Sequence, residues 1–178
     1  GADIVPITGE NRILAYHGLN VINTAPRMGF YAIIKQIKKD VLTITDVVFI
    51  IAPRINAAGR MKHGNHAVTL LTETDINRAA EYASEIEEFN TDRREADKSI
   101  TEEALKQILD NAEESRKTTV VYDENWHKGV ISIVASRLTE TYYRPTLVFT
   151  KSGEKLAASA RSVKDFDVYN ALEACSDY

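Results

Sequence analysis

The chain has 178 residues, a formal net charge of −4, 44% hydrophobic residues and 27% charged residues. This composition is ordinary for a soluble globular protein and allows one or two small domains. The mild acidity excludes a protein that coats nucleic acid through overall positive charge, but it leaves room for a local basic groove. The single cysteine excludes an internal disulfide, and no apolar run reaches the about 18 residues that cross a bilayer.

The first of three zones, residues 1–70, combines helical patterns with a candidate binding segment. Apolar residues between 13 and 22 have helix-like spacing, residues 23–29 break the pattern, and residues 30–38 predict a second helix. The apolar run at residues 46–52 predicts either a buried strand or the end of a helix. Small residues and one amide then separate two arginines at residues 52–61. This pattern suits a phosphate contact, but a tight turn with surface arginines explains it equally well.

The second zone, residues 71–116, is highly charged and almost free of residues that break helices. Apolar stripes predict helices over residues 75–89 and 93–115. The charged residues fit a solvated helix face. A long helical connector between two lobes is therefore the expected architecture.

The third zone, residues 117–178, alternates strands and helices. Residues 118–122, 146–150 and 155–163 predict strands, and residues 129–139 and 167–174 predict helices. This order implies a small α/β layer structure.

Two segments of the third zone have side chains suited to an anion. His127 and Lys128 precede a predicted helix whose first amides favour negative charge, although a structural helix start packed by Trp126 explains them as well. In residues 158–162, strand alternation would point Arg161 to one side and its neighbours to the other. That segment predicts either a phosphate contact or an edge strand whose polar residues face water.

Three segments together resemble RecJ exonucleases, members of the DHH phosphoesterase superfamily. Residues 51–61 (IAPRINAAGRM) resemble the signature of that family, and residues 126–138 (WHKGVISIVASRL) resemble the motif at the start of its DHH-associated domain. Residues 2–12 (ADIVPITGENR) resemble the end of its DHH domain. The segments occur in the family's order, and the match covers nearly the whole chain.

The resemblance implies an α/β fold in three parts. Residues 1–70 would be the C-terminal part of a DHH domain, residues 71–116 a helical connector, and residues 117–178 an incomplete DHH-associated domain. The implied function is that of a cytoplasmic hydrolase that degrades single-stranded DNA from 5′ to 3′ in repair and recombination. Its cofactors would be two Mn²⁺ or Mg²⁺ ions. Its partners would be single-stranded DNA, a single-strand-binding protein and a helicase, with no membrane.

The resemblance also implies roles for individual residues. Asp3 would be a catalytic metal ligand, and Arg60 would be a catalytic phosphate contact. The residues that would bind nucleic acid are Arg54, Asn56, Arg60, His127, Ser159, Arg161 and Ser162, with Arg27 as a weaker candidate.

The chain departs from the family pattern in two ways. Ala158 and Ala160 stand where the family usually has glycine, which puts close approach of DNA to this strand in doubt. The Asp-His-His motif and the earlier aspartates are expected before Gly1. We therefore expect the chain alone to lack nuclease activity and to bind no metal.

Two other functions remain compatible with the sequence. One is a phosphoesterase that acts on short oligonucleotides or cyclic dinucleotides. The other is a non-catalytic nucleic-acid or protein interaction module, which the missing metal ligands and the acidic net charge support.

Overall fold

A computed structural model describes residues 5–176, and these fall into two compact units that divide between Arg93 and Arg94. The first unit contains helices α1 (Gly9–Thr24), α2 (Met28–Ile37), α3 (Ile44–Asp46), α4 (Ala52–Met61) and α5 (Asn65–Thr72), with a π-helical turn (Val47–Ile51) before α4. Helix α6 (Ile76–Asp110) crosses from the first unit into the second. The domain boundaries at residues 70 and 116 stay a prediction.

The core of the first unit is built from small and branched apolar side chains. Alanines let α4 and α5 pack closely, alanines of α2 and α6 join the same core, and isoleucine and leucine fill the remaining space. The buried members of this core are Ala32, Ile33, Leu42, Ile51, Ala57, Ala58, Ala67, Leu70, Ala79, Ala83, Ile86 and Phe89.

The apolar run at residues 46–52 is helical, so the helix alternative is confirmed and the strand alternative is wrong. The tight-turn interpretation of residues 52–61 is also wrong, because α4 occupies them. Pro53 explains why the helix widens to a π-helical turn before α4, since proline has no N–H to continue the regular hydrogen bonds of the helix. The amide of Ala52 donates to the Val47 carbonyl, five residues back, which makes the π-helical turn.

Gly29 explains the small residue at the start of α2. A Cβ atom at this position would lie 2.1 Å from the Leu70 carbonyl oxygen in α5, so only hydrogen fits between the two helices. Gly18, in α1, has nothing within 4 Å of the same hypothetical atom. The close approach of α2 to α5 thus depends on glycine at residue 29.

The second zone forms one uninterrupted helix where the sequence predicts two. Helix α6 has 35 residues and continues through residues 90–92, which contain neither proline nor glycine. Its buried side chains recur three or four residues apart, as in Ala79, Ala83 and Ile86, and again in Ile100, Ala104 and Ile108. The predicted long helix in a mixed α/β chain is therefore confirmed.

The second unit contains β1 (Thr119–Tyr122), α7 (Ile131–Tyr142), β2 (Thr146–Ser152), β3 (Lys155–Arg161) and α8 (Val168–Glu173). The strands form a sheet in the order β1-β2-β3, parallel between β1 and β2 and antiparallel between β2 and β3. Helix α7 connects the two parallel strands and packs against β2 and β3. Its buried side chains meet the face of β2 that carries Val148.

Two arginines join the end of α6 to the rest of the second unit. Arg137 in α7 binds the buried carboxylate of Asp97 through two nitrogens, at 2.8 and 2.7 Å, and this hydrogen-bonded partner raises the pKa of Arg137. Arg144 is buried and donates to the hydroxyl of Thr119 and to the carbonyls of Glu113, Glu114 and Arg116.

Across the described residues, no helix has the length and apolar character needed to span a membrane.

Candidate nucleic-acid interface

Arg161, at the end of β3, is exposed and its guanidinium is held only by neutral groups. Its Nε donates to the hydroxyl of Ser136 in α7 at 2.9 Å. Its Nη1 donates to the Ala160 carbonyl at 2.8 Å and, more weakly, to the hydroxyl of Ser159 at 3.4 Å. Residues 5–176 therefore orient this charge but do not neutralise it.

Other basic side chains of the chain contrast with Arg161. Arg54, Arg78 and Arg137 each pair with a carboxylate. Arg161 forms no such ion pair within residues 5–176. An exposed cation without an internal counter-charge keeps its full attraction for an external anion such as a phosphate.

Ala158 and Ala160 lie on the other face of the sheet from Arg161. In the register of β2 and β3, Ser159 is opposite the fully buried Val148, whereas Ala158 is opposite Phe149. Directly opposed residues of antiparallel strands share a face. The methyl groups that replace the family's glycines therefore lie on the face opposite to the one that carries Ser159, Arg161 and the packed helix α7.

Ser162 belongs to the turn that follows β3. Its hydroxyl donates to the Phe166 carbonyl at 2.5 Å. The structure therefore brings Ser159 and Arg161 together, but gives Ser162 a bond that closes a loop.

His127 organises the turn before α7. Its Nδ1 accepts from the Gly129 amide at 3.1 Å, and its carbonyl accepts from the Val130 amide at 2.9 Å. The preceding Trp126 is buried, and its indole N–H donates to Glu103 at 2.8 Å. The structural interpretation of Trp126 is thereby confirmed, while binding by the half-buried His127 stays a prediction.

His127 and Arg161 lie at different levels of the sheet. The hydroxyl of Thr150 donates to the carbonyl of Trp126, and Thr150 is paired with Ala157, four residues before Arg161. At a rise of about 3.3 Å per residue, these levels are about 13 Å apart along the strand. The structure does not place the two side chains next to each other.

Helix α4 separates its two arginines onto different faces. Arg54 faces Glu87 of α6: its Nη2 donates at 3.2 Å, and its Nε lies at ion-pair distance without the direction of a hydrogen bond. Its Nη1 also donates to the Ile50 carbonyl at 2.8 Å, in the stretch that Pro53 disturbs. The contacts of the Arg54 side chain thus stabilise the fold of the first unit.

Asn56 and Arg60 share the other face of α4, since residues four apart lie above one another on a helix. Asn56 is exposed and Arg60 is half-buried. Between them, Gly59 is also exposed, and a Cβ atom there would meet only Gly64, at 3.9 Å. Packing among residues 5–176 does not account for glycine at residue 59.

Arg27, the weaker candidate, is the exposed residue that precedes α2. It borders a cavity of about 370 Å³ whose other lining residues are mainly apolar, including Leu19, Ile22 and Phe30. That lining fits apolar groups better than a phosphate.

Asp3 lies outside the described residues. Within residues 5–176, no three His, Cys, Asp or Glu side chains come together in a group that could hold a metal ion. The described part of the chain therefore does not fit a metal centre by itself.

Comparison with known proteins explains this combination of features. The DHHA1 domain family matches residues 115–177. The chain is 36% identical over 180 residues to the single-stranded-DNA-specific exonuclease RecJ of Bacillus subtilis (strain 168). The matched region covers 99% of the chain and 23% of that protein. For the RecJ of Escherichia coli (strain K12), the identity is 34%, over 97% of the chain and 31% of that protein. The chain is RecJ-like.

Solved structures agree with this assignment. The crystal structure of RecJ from Thermus thermophilus in complex with Mn²⁺ has a TM-score of 0.87 and 29% identity, covering 99% of the chain and 26% of that protein. The complex of the same protein with Mg²⁺ gives a TM-score of 0.88 at the same identity. The RecJ-like chain spans about a quarter to a third of the length of the curated relatives it matches.

Sequence reasoning missed the partners that give the RecJ-like arginines their different surroundings. Ser136 lies in the motif at residues 126–138, but nothing in the sequence sets its hydroxyl apart from that of Ser132, four residues earlier. Glu87 is one of many acidic residues on α6, and it lies 33 positions from Arg54. The only sequence signal for this contact is that Ser132 and Ser136 lie four residues apart on one helix face, near a strand that carries an arginine. This signal does not distinguish Ser136 from Ser132.

Proposed function

We propose that the chain is part of a metal-dependent exonuclease that degrades single-stranded DNA from 5′ to 3′ in repair and recombination. The observation that carries this proposal is the exposed Arg161 guanidinium, which neutral groups orient and no carboxylate neutralises within the described residues. The similarity to RecJ proteins along nearly the whole chain supplies the substrate class. The protein would act in the cytoplasm, with a single-strand-binding protein and a helicase as partners.

The second unit would hold the DNA backbone through β3. Arg161 would give a charge-assisted bond to a phosphate oxygen, and Ser159 would add a neutral hydroxyl on the same face. His127 would contact the strand at another position, because it lies at a different level of the sheet. Such contacts fix the strand in place without reading its bases.

The first unit would contribute the exposed face of α4. Asn56 and Arg60 offer an amide and a cation there, and Gly59 between them leaves space for a close backbone approach. Arg54 would act indirectly, by holding α4 against Glu87.

Hydrolysis would depend on two divalent cations, Mn²⁺ or Mg²⁺, which activate water and stabilise charge on the attacked phosphate. Asp3 would be one ligand, and the remaining ligands would belong to the part of RecJ relatives that this chain does not span. The metal complexes of Thermus thermophilus RecJ support this proposal. Residues 5–176 provide no group that fits a metal by itself, so the 178-residue chain alone would lack nuclease activity.

The proposal is tested by comparing the 178-residue chain with the complete protein that contains it. Both are titrated with a fluorescent single strand and with the matching duplex at several salt concentrations, and then incubated with the single strand and Mn²⁺. We expect salt-dependent binding that favours the single strand in both, and release of mononucleotides by the complete protein only. Digestion by the chain alone, or equal binding of duplex, would contradict the proposal.

Two alternative functions give different results in the same experiment. A phosphoesterase of short oligonucleotides or cyclic dinucleotides would hydrolyse a dinucleotide much faster than a long strand. A non-catalytic binding module would grip the single strand but release no nucleotide even as the complete protein. The observation that favours the module is that the described residues group no metal-ligating side chains.

A further inference from the structure

Ser136 occupies the middle of α7 and faces the end of β3. Its hydroxyl donates to the Ser132 carbonyl, one turn earlier, at 3.2 Å. It accepts from the Nε of Arg161 at 2.9 Å. Because the first bond takes the only hydroxyl hydrogen, a lone pair of the oxygen is directed to the guanidinium.

The bonds of Arg161 leave one part of the guanidinium open. Nε is held by Ser136, and Nη1 is held by the Ala160 carbonyl with a weaker contact to Ser159. Nη2 has no hydrogen-bond partner in the part of the chain that the structure describes. Since the guanidinium is rigid and planar, bonds at Nε and Nη1 together determine the direction of Nη2.

We propose that Ser136 is a positioning residue for Arg161, fixing the plane in which the guanidinium meets a DNA phosphate. This inference rests on the proposed function, because it assigns Ser136 a role at the same binding surface. Ser136 itself contacts the arginine and not the DNA. The benefit is preorganisation: a long, exposed side chain loses much of its rotamer freedom before the phosphate arrives, so less is lost on binding.

The chain contains a matched control for Ser136. Thr141, in the same helix, also donates its hydroxyl to the carbonyl four residues earlier, that of Arg137, at 2.9 Å. Thr141 is exposed, and its hydroxyl accepts from no guanidinium of the described residues. Replacing either residue by alanine removes one similar bond within the helix, but only Ser136→Ala frees Arg161.

The experiment measures binding of a fluorescent single-stranded oligonucleotide by the full 178-residue chain and by the variants Ser136→Ala, Ser136→Thr, Thr141→Ala, Arg161→Ala and Ser136→Ala/Arg161→Ala. We expect Ser136→Ala to raise Kd about threefold to tenfold, the range for losing one charge-assisted bond at an exposed site. Thr141→Ala should leave Kd unchanged, and Ser136→Thr should restore it because the hydroxyl returns.

Two readouts separate positioning from a structural role. Ser136→Ala should keep the wild-type salt dependence, because the charge remains, whereas Arg161→Ala should reduce the slope by about one phosphate contact. In the Arg161→Ala background, Ser136→Ala should have no further effect. An equal loss in both backgrounds, or a loss that Ser136→Thr fails to reverse, would overturn the inference.

A measurement on the unmodified chain covers the case in which Ser136→Ala does not fold. Proton exchange at the Arg161 Nε, followed by nuclear magnetic resonance, should be slower than at the exposed Arg94; equal rates would refute the positioning role.

Failure of the inference is distinct from failure of the proposed function. If Arg161→Ala weakens binding and Ser136→Ala does not, only the inference fails, whereas absence of salt-dependent binding by the unmodified chain refutes the function.

Discussion

Arg54 and Arg161 come from two sequence motifs that look alike, each with an arginine among small residues, yet the protein uses them differently. Arg54 is largely buried, with 19% of its side chain exposed, and it faces the Glu87 carboxylate. Arg161 is exposed, and only hydroxyl and carbonyl groups orient it. The charge of Arg54 is paired with a carboxylate inside the protein, whereas the charge of Arg161 remains available to a ligand. The partner of a guanidinium thus indicates its role better than its motif does.

The largest expected effect is on DNA binding. Arg161→Ala should raise the Kd for a single-stranded oligonucleotide about tenfold to a hundredfold, the range for losing charge-assisted bonds to a phosphate. Arg54→Ala should change the Kd less than about twofold per folded molecule, since its charge is already paired. Fluorescence anisotropy at a fixed salt concentration measures both. A larger effect of Arg54→Ala would remove the distinction drawn between the two arginines.

The effect on stability should have the opposite order. Arg54→Ala leaves Glu87 partly buried without its counter-charge and frees the Ile50 carbonyl, so we expect a loss of about 1–2 kcal/mol in unfolding free energy. Arg161→Ala should stay within about 0.5 kcal/mol of the unmodified chain, because its site is on the surface. Urea denaturation followed by helix content measures the difference. Adding Glu87→Gln to Arg54→Ala should recover part of the loss, because the unpaired charge is gone.

A smaller effect is expected at Gly59, beside Arg60. Gly59→Ala should stabilise α4 by about 0.5–1 kcal/mol, since alanine favours the helix and the structure offers its methyl group open space. If DNA approaches this face closely, the same change should weaken binding. Gly18→Ala is the control, because it lies in α1 with equally open surroundings. A Gly59→Ala variant that binds as tightly as Gly18→Ala would remove α4 from the interface.

The last prediction concerns acid, in the same unit as Arg54. Lys39 binds the Asp46 carboxylate at 2.6 Å, and with the amide and hydroxyl of Thr43 it lowers the pKa of Asp46 to about 2. Because the carboxyl pKa is lower in the folded state, its contribution to stability is present above about pH 4 and is lost as the pH falls toward 2. In thermal melts between pH 5 and pH 2, the melting temperature should fall less steeply for Asp46→Asn than for the unmodified chain. For the control Asp40→Asn, at an exposed residue, it should fall as steeply as for the unmodified chain.

The sequence predicted the broad architecture because its signals are local. Apolar spacing identified α2, α7 and the three strands to within a few residues, and the absence of proline and glycine indicated a long helix. The break placed between residues 89 and 93 was wrong because only tertiary packing, such as the burial of Phe89 and Asn90, decides whether a polar stretch stays helical. The apolar run at residues 46–52 was ambiguous for the same reason.

The candidate interface was predictable in its residue types and not in its partners. Motif resemblance singled out Arg54, Arg60 and Arg161 together, since each falls in a segment that resembles a motif of the family. Helical periodicity within α4 separates Arg54 from Arg60, but the sequence alone left that segment open between a turn and a ligand site. The contacts of Arg54 with Glu87 and of Arg161 with Ser136 join elements far apart in the chain, and spacing does not encode them.

The buried guanidinium of Arg144 has a consequence for how the second unit comes apart. It ties the carbonyls just beyond α6 to the first residue of β1, and it lies two residues before the start of β2. Lysine could not replace it, since a single ammonium has three hydrogens at one point and cannot reach acceptors spread around a plane. Loss of this one cation should therefore release the helix end and two strand beginnings simultaneously, so that these segments open to solvent as one cooperative event.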